Sequence, residues 1–158
     1  MKRLVQQAMV AAVVLTFLGL GAREARAQRA GQILVSQKPV PSNPAALKKW
    51  KRRDTTKKLT ANKGGGTWEF YYIARMRKTP RVNVVNLVYY EYRPGRRPKY
   101  INAVDVKLSG EVTHVIGKGK MHKILGFQKG RRYQIRITIK DNRGNEISYA
   151  RSGLILLK

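Results

Sequence analysis

Few side chains in this sequence could do acid–base or metal chemistry. Beyond Glu24, the carboxylates are Asp54, Glu69, Glu91, Asp105, Glu111, Asp141 and Glu146, and the imidazoles are His114 and His122. A catalytic dyad needs two carboxyls converging on one cleft, one held protonated and one ionised. Asp141 and Glu146 instead flank the turn-like "DNRGN", and Glu69 and Glu91 lie in strand-like runs where cross-strand Arg partners suit them. His114 and His122, in adjacent strand-like segments without thiolate or carboxylate support, would make only a weak metal site. The chain has no cysteine, which excludes disulfides, thiolate metal sites, a Cys nucleophile and a lipoprotein anchor. Gly64–Gly66 has no following Lys-Ser/Thr and no preceding strand, so it is a linker signal and not a phosphate loop. Nucleophile-elbow chemistry has no setting either. The expectation is a protein that is not an enzyme and carries no cofactor.

The abundant chemistry is cationic. Among 158 residues, 34 Lys and Arg face 8 acids, a formal charge of +26. Self-repulsion at such a charge disfavours a compact state and points to a polyanionic partner. The densest run is "LKKWKRRDTTKK", residues 47–58, with Lys48, Lys49, Lys51, Arg52 and Arg53 around Trp50. Further cations cluster in turn-like segments: Arg77, Lys78 and Arg81; Arg93, Arg96, Arg97 and Lys99; Arg131 and Arg132. These fourteen are the candidate polyanion-binding residues. Leu47, Trp50, Tyr90 and Tyr92 are the candidate partner-docking residues: Leu47 and Trp50 fall three apart on one helical face and could anchor a docking arm, and Tyr90 and Tyr92 lie beside Arg93, a pairing that suits base or sugar stacking.

The first 27 residues read as a cleaved secretory signal. Met1-Lys2-Arg3 is a positive n-region, Ala8–Leu20 is apolar, and Ala25-Arg26-Ala27 supplies the A-x-A pattern before Gln28. The apolar run is short of the ~20 residues a spanning helix needs. No second hydrophobic span follows, so an exported chain without a transmembrane span in its mature part is expected, periplasmic or at the cell surface. Basicity stays with the mature part, as +9 over residues 28–66 and +14 over residues 67–158.

Residues 28–66 are rich in Pro, Ser, Asn, Lys and Gly and end in "NKGGG", the composition of a largely flexible basic arm. Asn43-Pro44 reads as an N-cap followed by Pro at the first helical position, which predicts a short helix over 44–53. From Thr67 the period becomes two. "TWEFYYIARM", "VNVVNLVYYEY", "YINAVDVKLS", "EVTHVI", "KMHKIL", "RYQIRITIK" and "EISYARSGLILLK" read as strands separated by Pro/Gly/Asn turns. Val85, Leu87 and Tyr89 fall on one face, with Val88, Tyr90 and Tyr92 on the other. The fold class is all-β, an antiparallel sandwich of about seven strands over 67–158.

"ILGFQKGRRYQIRITIKDNRGNEIS" resembles the last two strands of bacterial immunoglobulin-like domains of the PKD or fibronectin type III kind. The resemblance implies a tyrosine corner, with the Tyr133 hydroxyl tied to the backbone of the preceding crossover. It is a likeness of fold, and that fold hosts adhesion, ligand-binding and structural domains alike. Two functions follow as expectations. One is a binding module attaching electrostatically to an anionic envelope or extracellular polymer: polysaccharide, lipopolysaccharide, peptidoglycan, anionic lipid or extracellular DNA. The other is an adaptor subunit among envelope proteins, docking through its N-terminal arm.

Overall fold

The computed structural model describes residues 31–110 and 112–158; the signal expected at 1–27 lies outside the described residues, as does Glu111. The chain is all-β. Its elements are β1 (Gly31–Ser36), α1 (Pro44–Arg53), β2 (Lys58–Leu59), β3 (Thr67–Arg75), β4 (Val84–Glu91), β5 (Lys99–Lys107), β6 (His114–His122), β7 (Arg132–Lys140), β8 (Glu146–Ser152) and β9 (Ile155–Leu157). A 3-10 turn, Lys123–Leu125, follows β6.

One ladder runs β1-β3-β6 and another β5-β4-β7-β8, joined by a short parallel pairing of β1 with β8. The halves face each other across one core. Phe70 on β3 and Tyr89 on β4 belong to strands that share no ladder, yet their rings pack edge to face at 6.4 Å. Alternation explains the layer between them. Trp68, Phe70, Tyr72 and Ala74 point inward from β3, and Val85, Leu87 and Tyr89 from β4. Tyr133, Ile135 and Ile137 do so from β7. The strands are antiparallel except for two parallel pairs, β1 with β8 and β2 with β9, so the sheet is mixed where a purely antiparallel one was expected.

The segment expected as a flexible arm is part of this fold. β1 sits between β3 and β8 and buries Ile33 and Val35; β2 pairs with β9 and buries Leu59. The triple glycine forms a turn from β2 into β3 within the domain, with φ of 101°, 74° and 81°. The helix covers the range expected. Asn43 Oδ1 accepts from the N–H groups of Ala45 (2.9 Å) and Ala46 (3.3 Å), Pro44 opens the first turn, and Lys51, Arg52 and Arg53 occupy the last. Ten residues would be marginal alone. Trp50 secures them: it is buried, and its Nε1–H donates to Lys38 O at 3.1 Å.

β6 corrects a second expectation. "EVTHVI" and "KMHKIL" are not two strands; one strand runs through Gly117 and Gly119. Opposite them stand Tyr72 and Phe70, whose rings lie where a Cβ would be, at 2.6 Å from the Gly117 position and 2.2 Å from the Gly119 position. The glycines are the space these rings occupy, an aromatic covering of glycine on an edge strand.

The Tyr133 hydroxyl accepts from the Gln128 N–H at 2.8 Å, the tie that the resemblance implies. Gly153 breaks the last strand into β8 and β9. At that break Ser152 Oγ accepts the Ile135 N–H at 2.9 Å and so replaces a ladder bond.

Candidate polyanion-binding surfaces

Strand registers divide the loops between two ends. The turn 60–66, hairpin 92–98 and crossover 123–131 share one end; the connections 76–83 and 141–145 share the other. The fourteen candidate cations therefore do not form one site. Arg93, Arg96, Arg97, Lys99, Arg131 and Arg132 are brought together at the first end. Arg77, Lys78 and Arg81 lie at the opposite end, where Lys78 Nζ sits 5.4 Å from the centre of the Tyr149 ring. Lys48, Lys49, Lys51, Arg52 and Arg53 are exposed on α1.

The hairpin end is built on one buried acid. Glu91 closes β4 and is almost fully enclosed. Its Oε2 accepts from Arg93 Nη2 at 3.1 Å and Nε at 3.3 Å, and Arg131 Nε lies 3.9 Å from Oε1. Arg93 is thus held against the buried carboxylate by charge-assisted hydrogen bonds, and the more exposed Arg131 adds a second, looser positive charge. The Tyr92 N–H donates to Arg132 O at 2.8 Å, which ties hairpin to crossover. Pro94-Gly95, with Gly95 at φ 67°, turns the chain, and Arg96, Arg97 and Lys99 stand in solvent at the same end as the exposed Arg131 and Arg132. This arrangement presents several cations to solvent at one end of the fold.

The docking residues fare differently. Trp50 is an internal anchor of α1, and Leu47 is half-buried beside it, so neither is a free docking side chain. Tyr90 lies on the outer face as expected but is already engaged. The Arg136 guanidinium carbon stacks 4.4 Å from its ring centre, Tyr100 packs against its edge at 6.1 Å, and its hydroxyl donates to Glu146. Tyr92 remains exposed. On the other outer face, Glu69 receives Lys120 at 2.9 Å and Lys118 at 3.2 Å, and these bonds lower its pKa.

His114 and His122 sit eight positions apart on β6, about 26 Å. The possibility that they meet across adjacent strands is removed. Among the described residues no three His, Cys, Asp or Glu side chains gather as a metal site, and no helix is long and apolar enough to cross a membrane.

Burial raises the pKa of four phenols, Tyr72, Tyr89, Tyr90 and Tyr133; for Tyr90, burial and then the Glu146 carboxylate push it up to about 12. A folded pKa above the unfolded value of ~10 gives stability that is complete below pH ~10 and lost as pH climbs through the folded values. These phenols therefore work against stability from pH ~10 upward, while lysines lose charge over the same interval and relieve self-repulsion. The direct check is tyrosinate absorbance against pH: the four buried phenols are expected to ionise above the ordinary value of ~10, and ionisation of all eight tyrosines together near pH ~10 would contradict the burial of these hydroxyls.

No family model matches this chain, and no curated protein matches it.

Proposed function

We propose that this chain is an exported, non-enzymatic binding module of immunoglobulin-like architecture that attaches electrostatically to an anionic envelope or extracellular polymer. The observation that carries the reading is the hairpin end, where, among the described residues, Arg96, Arg97, Lys99 and Arg132 are exposed without an ion pair at the same end as the buried Glu91, which Arg93 and Arg131 already compensate. Export rests on the leader pattern of residues 1–27. The adaptor reading has weaker support, because β1 and Trp50 of the segment meant to dock elsewhere are engaged inside the domain.

Equilibrium binding to a linear polyanion, double-stranded DNA as probe, over a NaCl series tests the proposal. Log K is expected to fall linearly with log salt, with a slope of about −4 to −6 from the hairpin-end contacts. A salt-independent affinity would contradict electrostatic attachment.

A further inference from the structure

The 3-10 turn Lys123–Leu125 presents two aliphatic side chains to water at the cationic end: Ile124 is 87% exposed and Leu125 49%. Exposed aliphatics on a loose loop would mean little, but this turn is held on both sides. The next residue but one, Phe127, is fully buried against Tyr89 at 5.4 Å and Tyr133 at 5.1 Å. The Gln128 N–H is tied to Tyr133, and the Lys123 N–H donates to Gly66 O at 2.7 Å. Within the turn, His122 Nδ1 accepts from the Ile124 N–H at 3.1 Å, and the Gly126 N–H donates to Lys123 O at 3.0 Å. Gly126, at φ 93°, reverses the chain back into the core. The two aliphatics are thus displayed by a braced loop that cannot fold them inward. Its N–H groups at Lys123, Ile124 and Gly126 have partners inside the protein.

Cations flank this tip. Lys123 is in the turn itself, Lys63 in the adjoining 60–66 turn, Lys129 and Arg131 in the same crossover, and Arg96 and Arg97 on the hairpin at the same end. An apolar wedge with Lys and Arg around it matches an anionic bilayer surface: the cations meet headgroups and the wedge enters the headgroup–acyl boundary. A soluble polyanion would use the cations and leave Ile124 and Leu125 idle.

We propose that the hairpin end docks on an anionic lipid surface and that Ile124 and Leu125 insert into it. This rests on the electrostatic reading above and adds the class of surface. The test uses the full mature chain, flotation with vesicles of phosphatidylcholine alone or with about one-third phosphatidylglycerol, and the DNA probe in parallel. Wild-type is expected to float with the anionic vesicles only. Ile124→Ser/Leu125→Ser is expected to lose about tenfold or more of that partitioning and to keep its DNA affinity and urea midpoint. Ile124→Trp adds an exposed indole to two buried ones, Trp50 and Trp68, and its emission should shift to the blue on anionic vesicles. If the double Ser variant partitions like wild-type, or the emission of the Ile124→Trp variant stays unchanged on vesicles that bind, insertion is wrong while electrostatic attachment stands. If DNA is bound and vesicles are not, insertion is again wrong. If neither is bound, both readings fall.

Discussion

Replacing Gly119 by Val is expected to remove about 3–5 kcal/mol of stability, a large part of the ~5–15 kcal/mol that a domain has. Even an added Cβ would stand 2.2 Å from Phe70 Cζ, so the ring must leave its place or the two strands must part. Phe70 is fully buried and packs on Tyr72 and Tyr89, in a close-packed interior that resists its displacement. The expected cost is therefore close to that of expelling the ring. Valine has the better intrinsic strand preference, so a propensity argument predicts the opposite sign. Urea denaturation decides between them. Ile116→Thr, on the exposed face of the same strand, serves as the control and should stay within ~0.5 kcal/mol. The pair Phe70→Leu/Gly119→Ala should lose less than the sum of its single changes, because the two sites share one space. Additive losses would show that Gly119 acts through backbone freedom alone.

That site also marks where the sequence could and could not be read. β7 spans the residues its alternation indicates, Arg132–Lys140, because every second side chain enters the core and turn residues bound it on both sides. The start of β3 at Thr67 and of β8 at Glu146 were legible for the same reason. β6 was not, since a glycine in a strand reads as a break unless the ring opposite it is known. The 31–66 segment was misread because its strands are short and their pairing is non-local: β1 has three large apolar residues, β2 is two residues long, and both find partners near the C-terminus. Composition measured the polar stretches between them and missed the ordered pieces. At the candidate site, the types of the cations were visible and their grouping was not. Whether Arg77 and Arg97 share an end depends on strand direction, and Trp50 looked available only because its partner, the carbonyl of Lys38, lies twelve residues back. The exposed pair Ile124 and Leu125 read as the end of a strand. Nothing local distinguishes an apolar residue held out of a core from one packed into it.

The combined change of Arg96, Arg97, Lys99 and Arg132 to Gln is expected to weaken polyanion binding far more than an equal loss of charge elsewhere. Among the described residues none of these four side chains makes an ion pair, so the fold should survive their removal; Arg93 and Arg131 are left in place because they compensate the buried Glu91. On double-stranded DNA each lost phosphate contact lowers the salt slope by about 0.9, so four contacts lower it by about 3–4. Wild-type should then lose about a hundredfold more affinity than the variant between about 50 and 200 mM salt. The matched comparison is Lys48, Lys49, Lys51 and Arg52 to Gln on α1, which removes the same net charge from a different surface. A diffuse field follows net charge and treats the two variants alike. Contact at the hairpin end separates them: the α1 variant should keep its slope within about one unit of wild-type. Equal slopes in the two variants would mean that this protein holds its partner through a diffuse positive field, and the cations of the hairpin end would then be no more a site than those on the helix.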